Sequence, residues 1–539
     1  MEHKRLKLPV GIQTFEEIRT QGYLYVDKTQ YLVNMIDSGK AYFLARPRRF
    51  GKSLTVSAFD ALFSGKKELF KGLYAEEFFD RPDFQPSPVI RLDMSNITTD
   101  EGIEGVKESL LTLTRNVARK LDVELSGTQL AGDLLGELIS KTAEQHNRKP
   151  VILLDEYDKP YTDFVNDHDM AEKVRDVLRN FYVRIKANDE HIRFIFITGI
   201  SKFAKFGVFS TLNTLLDISL MPRFAAICGY TEEELVGYFS GYLDKTAQYM
   251  EISTKALIDK MRFYYNGFSF DSGAKARLFN PFSTLTFFEN MDFLNYWIDT
   301  GKPKFIADYM KNRNLTVEQF RNFPITKDFA KSPGDVDTAS PAGFLYQAGY
   351  LTLRQGVHFD LVLDYPNTEV LNSMSDLLTI NILAENANPV QQTLLMALAI
   401  GDVEKTVEMM NCLLARIPYD DFTGAAKQSV YIGSYQFPAQ EWLYRSTLFA
   451  FLQGCGVVVE AEMHTHKGRP DLVVSYRGKV WVIEIKVACQ GDNAAEKASE
   501  AYRQIMEKEY AKPFPSAICL GLGIDDTLRQ IAASKSSDQ

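Results

Sequence analysis

Cysteine is scarce in this chain of 539 residues. The five present, Cys228, Cys412, Cys455, Cys489 and Cys519, are odd in number, widely spaced and form no C-x-x-C. That pattern argues against a disulfide framework and a zinc site, and it reads as reduced core cysteines. Long apolar runs are missing too: nothing approaches the roughly 18 residues of a membrane span. The opening stretch MEHKRLKLPVG carries charge but lacks the apolar centre of a signal peptide. A cytoplasmic protein without membrane association is expected. Nor is there a basic excess. Lys and Arg number 61 against 70 Asp and Glu, for a net charge of −9. Any nucleic-acid contact must therefore come from local basic patches. No internal repeat is visible, and no nucleophile elbow supports Ser/His/Asp catalysis. Domains of about 100–200 residues suggest three or four in this length.

What is present centres on Ala41 to Ser53, AYFLARPRRFGKS. Tyr42–Ala45 suits a short buried strand, and the apolar run from Leu54 to Phe63 suits a helix. Strand, tight loop, Lys-Ser and helix form the layout of a phosphate-binding loop. Loop and helix-terminal N–H groups would face a triphosphate. Lys52 would reach the β- and γ-phosphates, and Ser53 would ligate Mg²⁺. The first Gly of the general pattern falls at Arg46, where a side chain resists a left-handed backbone, so a differently shaped loop is expected. Arg46, Arg48 and Arg49 would surround the phosphates, with Phe50 and Gly51 completing the nucleotide-binding loop. The plainer alternative is a basic strand-to-helix turn on the surface.

The lead-in, Leu8 to Thr29, either covers a nucleotide base or packs as an N-terminal segment. Pro88–Asp93 reads as a second strand, and residues 102–145 as a long helical stretch. Val151–Leu154 followed by Asp155-Glu156 resembles a buried parallel strand with acids at its carboxyl end, where ligands sit in open α/β sheets. Asp155 would hold Mg²⁺ and Glu156 would polarise the attacking water. The alternative is an apolar strand with two solvated acids. A further strand, Phe194–Thr198, ends in Thr198 and, just beyond, Ser201, a polar tip able to sense the γ-phosphate. Alternating strands and helices argue for a parallel sheet.

Four segments together, VDKT at 26–29, RPRRFGKS at 46–53, LLDEYDKP at 153–160 and TGISKF at 198–203, resemble the bacterial and archaeal AAA-ATPase-like family. Its members usually end in a PD-(D/E)XK nuclease-type domain, and an Arg in place of the first loop Gly is part of its pattern. The resemblance covers nearly the whole chain. It implies a P-loop core, ATP and Mg²⁺.

The expected fold is α/β: an AAA-like ATPase core over 1–228, a helical lid over 229–331, a helical or winged connector over 332–425, a PD-(D/E)XK nuclease-like α/β domain over 426–533 and a disordered tail over 534–539. Thr231 and Glu234 fit a capping box opening the lid. Ser332-Pro333-Gly334-Asp335 is the linker candidate. Short strands are expected within 343–354 and 361–365, and helix over 373–414.

The last domain carries a second constellation. Pro470-Asp471 precedes a strand to Tyr476, Arg477-Gly478 makes a turn, and Lys479–Val487 forms a second strand containing Glu484-Ile485-Lys486. The period of two puts Glu484 and Lys486 on one face and Trp481, Ile483, Ile485 and Val487 on the other. A two-residue turn pairs Tyr476 with Lys479 and sets Asp471 opposite Glu484, with Cβ atoms ~4.5–5.5 Å apart. Carboxylates that close repel unless a cation or proton lies between them. Their oxygens suit Mg²⁺ or Mn²⁺, with Lys486 alongside to orient water or stabilise a phosphoryl oxygen. Glu441, on a helix over 440–453, would complete the metal site. Asp471, Glu484 and Lys486 resemble the complete PD-(D/E)XK pattern, and Glu441 and Gln504 match helical positions such nucleases use. Arg469 and Gln504 would touch nucleic acid. The alternative is a polar hairpin face with an ion pair between Glu484 and Lys486. His464 and His466 lack a third ligand for zinc.

Two functions follow. One is an ATP-hydrolysing protein coupled to a metal-dependent nuclease acting on nucleic acid, DNA more than RNA. The other is a nucleotide-controlled switch whose last domain binds a partner or nucleic acid without cutting. A homo-oligomer would supply an arginine finger from a neighbouring subunit, with Arg175, Arg179 and Arg184 as candidates.

Overall fold

The computed structural model describes residues 6–164, 167–200, 215–299, 320–326, 341–356, 361–374, 388–415, 430–432, 435–437, 439–455, 457–461, 467–489 and 491–537. Contacts divide the chain into two units. The first comprises the described residues of Met1–Trp297 and Asn322–Glu369, the second those of Ile298–Arg321 and Val370–Gln539. The division falls inside the expected connector, after Glu369, rather than at either of its ends. Ser201, the linker candidate at 332–335, and His464 and His466 lie outside the described residues.

In the first unit, β1 (Ala41–Ala45), β2 (Val89–Asp93), β3 (Val151–Asp155), β4 (Phe194–Gly199) and β5 (Leu216–Asp217) form one sheet in the order β2-β3-β4-β1-β5. Every pairing is parallel. Every residue of β1, β3 and β4 is buried. This is why their sequences run apolar without alternation: a parallel sheet is covered on both faces. Residues 102–145 form two helices rather than one, Gly102–Lys120 and Ala131–His146. The break follows Asp122, which takes a left-handed φ of 55°, and Glu137 accepts from both the backbone and hydroxyl of Ser126 in the intervening loop. The core between sheet and helices includes Phe43, Leu92, Leu110, Leu138, Leu154 and Phe181.

The helices Glu232–Tyr249, Thr254–Tyr265 and Pro281–Asn290 make a second core around Phe239, Met261, Tyr265 and Phe287. The first opens with the expected capping box of Thr231 and Glu234. Leu8, Leu24 and Val26 belong to the same core, so the N-terminal segment is a packed lead-in. Also in this unit, β6 (Phe323–Ile325), β7 (Thr352–Gln355) and β8 (Leu361–Asp364) form an antiparallel sheet in the order β6-β8-β7. The helix Pro341–Ala348 precedes β7, so residues expected to begin a strand at 343 are helical.

The second unit holds a short hairpin, β9 (Val430–Ile432) with β10 (Tyr435–Phe437). Its main sheet runs in chain order through β11 (Val458–Ala461), β12 (Leu472–Tyr476), β13 (Lys479–Ala488), β14 (Ile518–Asp525) and β15 (Gln530–Ser536). Only β13 and β14 are parallel, and the helix Ala494–Glu507 is the crossover that such a pair requires. This helix lies very close to β14. A Cβ on Gly521 would sit 2.5 Å from the Ala498 carbonyl, and one on Gly523 2.0 Å from that of Ala494. On the other face, Trp481 Nε1 donates to Leu398 O at 3.2 Å from the helix Asn388–Ile400. Helices therefore cover both faces, and Val482 and Glu484 are as buried as Trp481 and Ile485. β15 reaches Ser536, so residues 534–536 are pairing strand and not the disordered tail expected there.

Candidate functional site

The loop after β1 is built differently from a glycine-opened phosphate loop. Arg46 is not left-handed; Arg49 and Gly51 are, with φ of 66° and 99°. The Arg46 guanidinium does not face the loop's outer side, which corrects its expected role at the phosphates. It is 1% exposed and donates to the carbonyls of Ala45 (2.9 Å), Ser219 (2.7 Å), Phe224 (3.1 Å) and Ala225 (3.4 Å). It also stacks 4.3 Å from the Phe270 ring. Burial pulls its pKa down to about 10. A buried cation needs such partners, and backbone carbonyls supply them. The Phe50 ring likewise turns inward, edge-on to Phe268 and Phe270 at 4.7 and 5.2 Å, so it anchors the loop rather than lining its surface. Arg48 is exposed, and its carbonyl accepts from Trp297 Nε1 at 3.2 Å. Arg49 lies 4.0 Å over the Phe282 ring. Burial, then Arg48, lowers its pKa.

The helix Lys52–Phe63 starts directly after Gly51, with Thr55 N and Oγ1 donating to the Gly51 carbonyl at 3.0 and 3.1 Å. Ser53 is half-buried on its first turn. Lys52 is buried, and its Nζ donates to Arg46 O and Pro47 O, both at 3.0 Å. Burial lowers its pKa, while Glu156, Asp155 and Asp158 act in the opposite direction. The loop lysine and the acids at the tip of β3 thus share one locale.

Asp155 accepts from Thr198 Oγ1 at 2.5 Å, so the tip of β4 is tied to the tip of β3. Glu156 takes a left-handed φ of 50°, and burial raises its pKa against the pull of Lys52. Asp158, the third acid of LLDEYDKP, was given no role by the sequence. It is 1% exposed, and its two oxygens accept from Ile200 N at 3.2 Å each. The signal available for it was the third acid itself. Arg175, Arg179 and Arg184 pair with Glu172, Asp176 and Asp133 within this chain.

In the second unit the turn at Arg477-Gly478 has φ of 45° and 81°, the two left-handed residues of a type I′ hairpin. It pairs Tyr476 with Lys479 and Leu472 with Ile483. One step further, Asp471 and Glu484 meet as expected: Asp471 Oδ2 accepts from Ile485 N at 2.7 Å, and Asp471 N donates to Glu484 Oε2 at 3.2 Å. Asp471 is 6% and Glu484 2% exposed. Burial, then the Asp471 carboxylate, pushes the Glu484 pKa up to about 9.

The helix Ala439–Gly454 brings Glu441 to Lys486, 3.2 Å from Nζ, and Lys486 also lies 3.5 Å from Glu484. Burial works against the Lys486 charge, but Glu441, Glu484 and Asp471 outweigh it and raise the pKa. Gln504 Nε2 donates to Glu484 and, at 3.4 Å, to the Tyr510 hydroxyl. Its amide therefore braces a carboxylate, where the sequence pointed it at nucleic acid. Arg469 is half-buried at the entrance to β12. Arg445 lies 3.5 Å from Asp471; the sequence signal for it is its position four residues after Glu441, on the same helix face.

Among the described residues, no group of three or more His, Cys, Asp or Glu side chains is arranged to hold a metal ion. Lys486 lies between Glu441 and Glu484, 3.2 and 3.5 Å from them, and Arg445 faces Asp471 at 3.5 Å. Asp471 and Glu484 still fit a divalent cation. They are two hard-oxygen donors on rigid backbone, side by side, and the pKa of Glu484 is raised by burial and then by Asp471. Of the cysteines, Cys228, Cys455 and Cys519 are buried, Cys412 is half-buried, and Cys489 is exposed rather than in a core. No helix among the described residues is long and apolar enough to cross a membrane.

Residues 9–209 match the family described as a predicted AAA-ATPase, and residues 439–526 match the PD-(D/E)XK nuclease superfamily. The uncharacterised protein encoded in the vnfD 5′ region of Azotobacter chroococcum mcd 1 is 34% identical over 520 residues, spanning 95% of this chain and 94% of that relative. Among solved structures, Cdc6p from Pyrobaculum aerophilum is similar over 66% of this chain and 91% of its own, at 10% identity and a TM-score of 0.23, too low to bear on function. With a near-full-length relative and both matches falling on the two sites described, the chain belongs to the predicted AAA-ATPase family and carries a C-terminal domain of the PD-(D/E)XK nuclease superfamily.

Proposed function

We propose that this protein binds and hydrolyses ATP and couples that cycle to metal-dependent cleavage of nucleic acid, DNA more than RNA. The observation that carries the second half of this reading is the hairpin register, which sets Asp471 against Glu484 with Lys486 two residues along. Lys52 meets the β- and γ-phosphates, leaving the loop carbonyls it contacts in this structure. Ser53 and Asp155 would hold Mg²⁺, Glu156 orients the attacking water, and Thr198 carries the state of the γ-phosphate to β4. Asp471 and Glu484 would hold Mg²⁺ or Mn²⁺, which when bound supplies Lewis-acid stabilisation of a phosphodiester's developing charge. Lys486 and Arg469 face the phosphate, and Gln504 keeps Glu484 in place.

The second reading, a switch that binds without cutting, draws on the net charge of −9 and on the cations already paired with Glu441 and Asp471. The deciding assay follows nicking of supercoiled DNA, and cleavage of single-stranded RNA, with Mg²⁺ or Mn²⁺ and with or without ATP. Nicking should vanish in Asp471→Asn while ATP turnover persists, and Lys52→Ala should lose turnover with its fold retained. Nicking by Asp471→Asn at the wild-type rate would refute the assignment.

A further inference from the structure

Asp471 has two carboxylate oxygens with different partners. Oδ2 is occupied by the Ile485 amide, and Oδ1 faces Arg445 at 3.5 Å. The oxygen left for a metal is the one that faces the guanidinium. Arg445 and Glu441 stand four apart on the helix Ala439–Gly454 and so share a face. From that face each meets an opposite charge on the hairpin, Glu441 at Lys486 and Arg445 at Asp471. Arg445 and Asp471 are 4% and 8% exposed at their side chains, so water does not screen the pair.

We propose that Arg445 is an internal competitor for the metal carboxylate: its guanidinium neutralises Asp471 in the metal-free site and must give up Oδ1 when a divalent cation binds. This rests on the reading of Asp471 and Glu484 as metal ligands. Two cations drawn to one carboxylate weaken each other's binding reciprocally, and a fixed positive charge beside a divalent ion in a dry site opposes it further. The site is closed to weak or scarce cations.

The test titrates nucleotide-free full-length protein with Mn²⁺ by calorimetry. Arg445→Met keeps the apolar stem and removes the charge; it should bind Mn²⁺ roughly tenfold or more tightly than wild type. Arg445→Lys keeps the charge and should bind within about threefold of wild type. A merely structural arginine predicts the opposite, since its loss would disorder Asp471 and weaken binding. Asp471→Asn gives the baseline, and circular dichroism checks the fold. Should Arg445→Met fail to fold, Arg445→Gln reads the same quantity. Wild-type binding that neither neutral variant strengthens overturns the competitor and leaves the metal ligands standing. Silence in the wild type and both neutral variants overturns the two together.

Discussion

Arg46→Gly restores the residue a general phosphate loop has at this place, and it should damage the protein. Glycine gains nothing there, because position 46 is not left-handed; that conformation belongs to Arg49 and Gly51. What is lost is a buried guanidinium serving four carbonyls, two of them at 2.7 and 2.9 Å, and stacked on Phe270. Hydrogen bonds to a charged group are worth about 1.5–3 kcal/mol each but do not add, and a buried carbonyl left without its donor costs about 1–3 kcal/mol. We expect a loss of about 3–5 kcal/mol from the first unit, which at the entropy of unfolding of a unit this size corresponds to a fall of roughly 4–7 °C in its melting temperature. Arg46→Lys keeps the charge but not the fork and should fall between. Scanning calorimetry of the full chain reads the shift, and fluorescent ATP-analogue binding well below the transition reads the loop. An Arg46→Gly protein that melts with wild type, or binds nucleotide better, would refute the argument that this residue is structural.

Glu156→Gln should bind Mg-ATP normally and hydrolyse it about 10²–10⁴-fold more slowly. Calorimetric binding and phosphate release measure the two separately, and loss of binding would show the acids misassigned. Because burial raises the Glu156 pKa, wild-type turnover should fall on the acid side at a pH above the usual carboxylate range. Gly523→Ala puts a Cβ 2.0 Å from the Ala494 carbonyl; neither backbone can give, so the second unit should lose about 1–3 kcal/mol. Its denaturant midpoint measures this, and an unchanged midpoint would mean the helix is free to move off β14.

The features legible in the sequence were those set by local rules. A two-residue turn with its Gly fixed the β12–β13 register by counting, and Thr231 and Glu234 announced the helix Glu232–Tyr249. Continuous apolar runs marked β1, β3 and β4. The misread features depended on distant partners. An Arg in a loop looks like a phosphate ligand until Ser219, Phe224 and Ala225, more than 170 positions away, offer their carbonyls. Gln504 looks like a free amide until the crossover helix lays it on Glu484. The even-numbered face of β13 looks half solvated until that same helix covers it.

Gly349 lies against Pro47 so tightly that a Cβ there would be 2.5 Å from the proline Cβ, with Trp297 behind it. The match to the predicted AAA-ATPase family ends at 209, yet the loop at its centre leans on a residue 140 positions further on. Trimming the chain at 331 would strip Gly349 and Tyr350 from Pro47 and Trp297, and trimming it at 228 would remove Trp297 as well. The fragment would expose aromatic surface and free the loop's outer wall. The shortest piece that keeps the loop's native surroundings ends no earlier than Glu369, whose carboxylate still holds Ser283 and the Trp297 backbone.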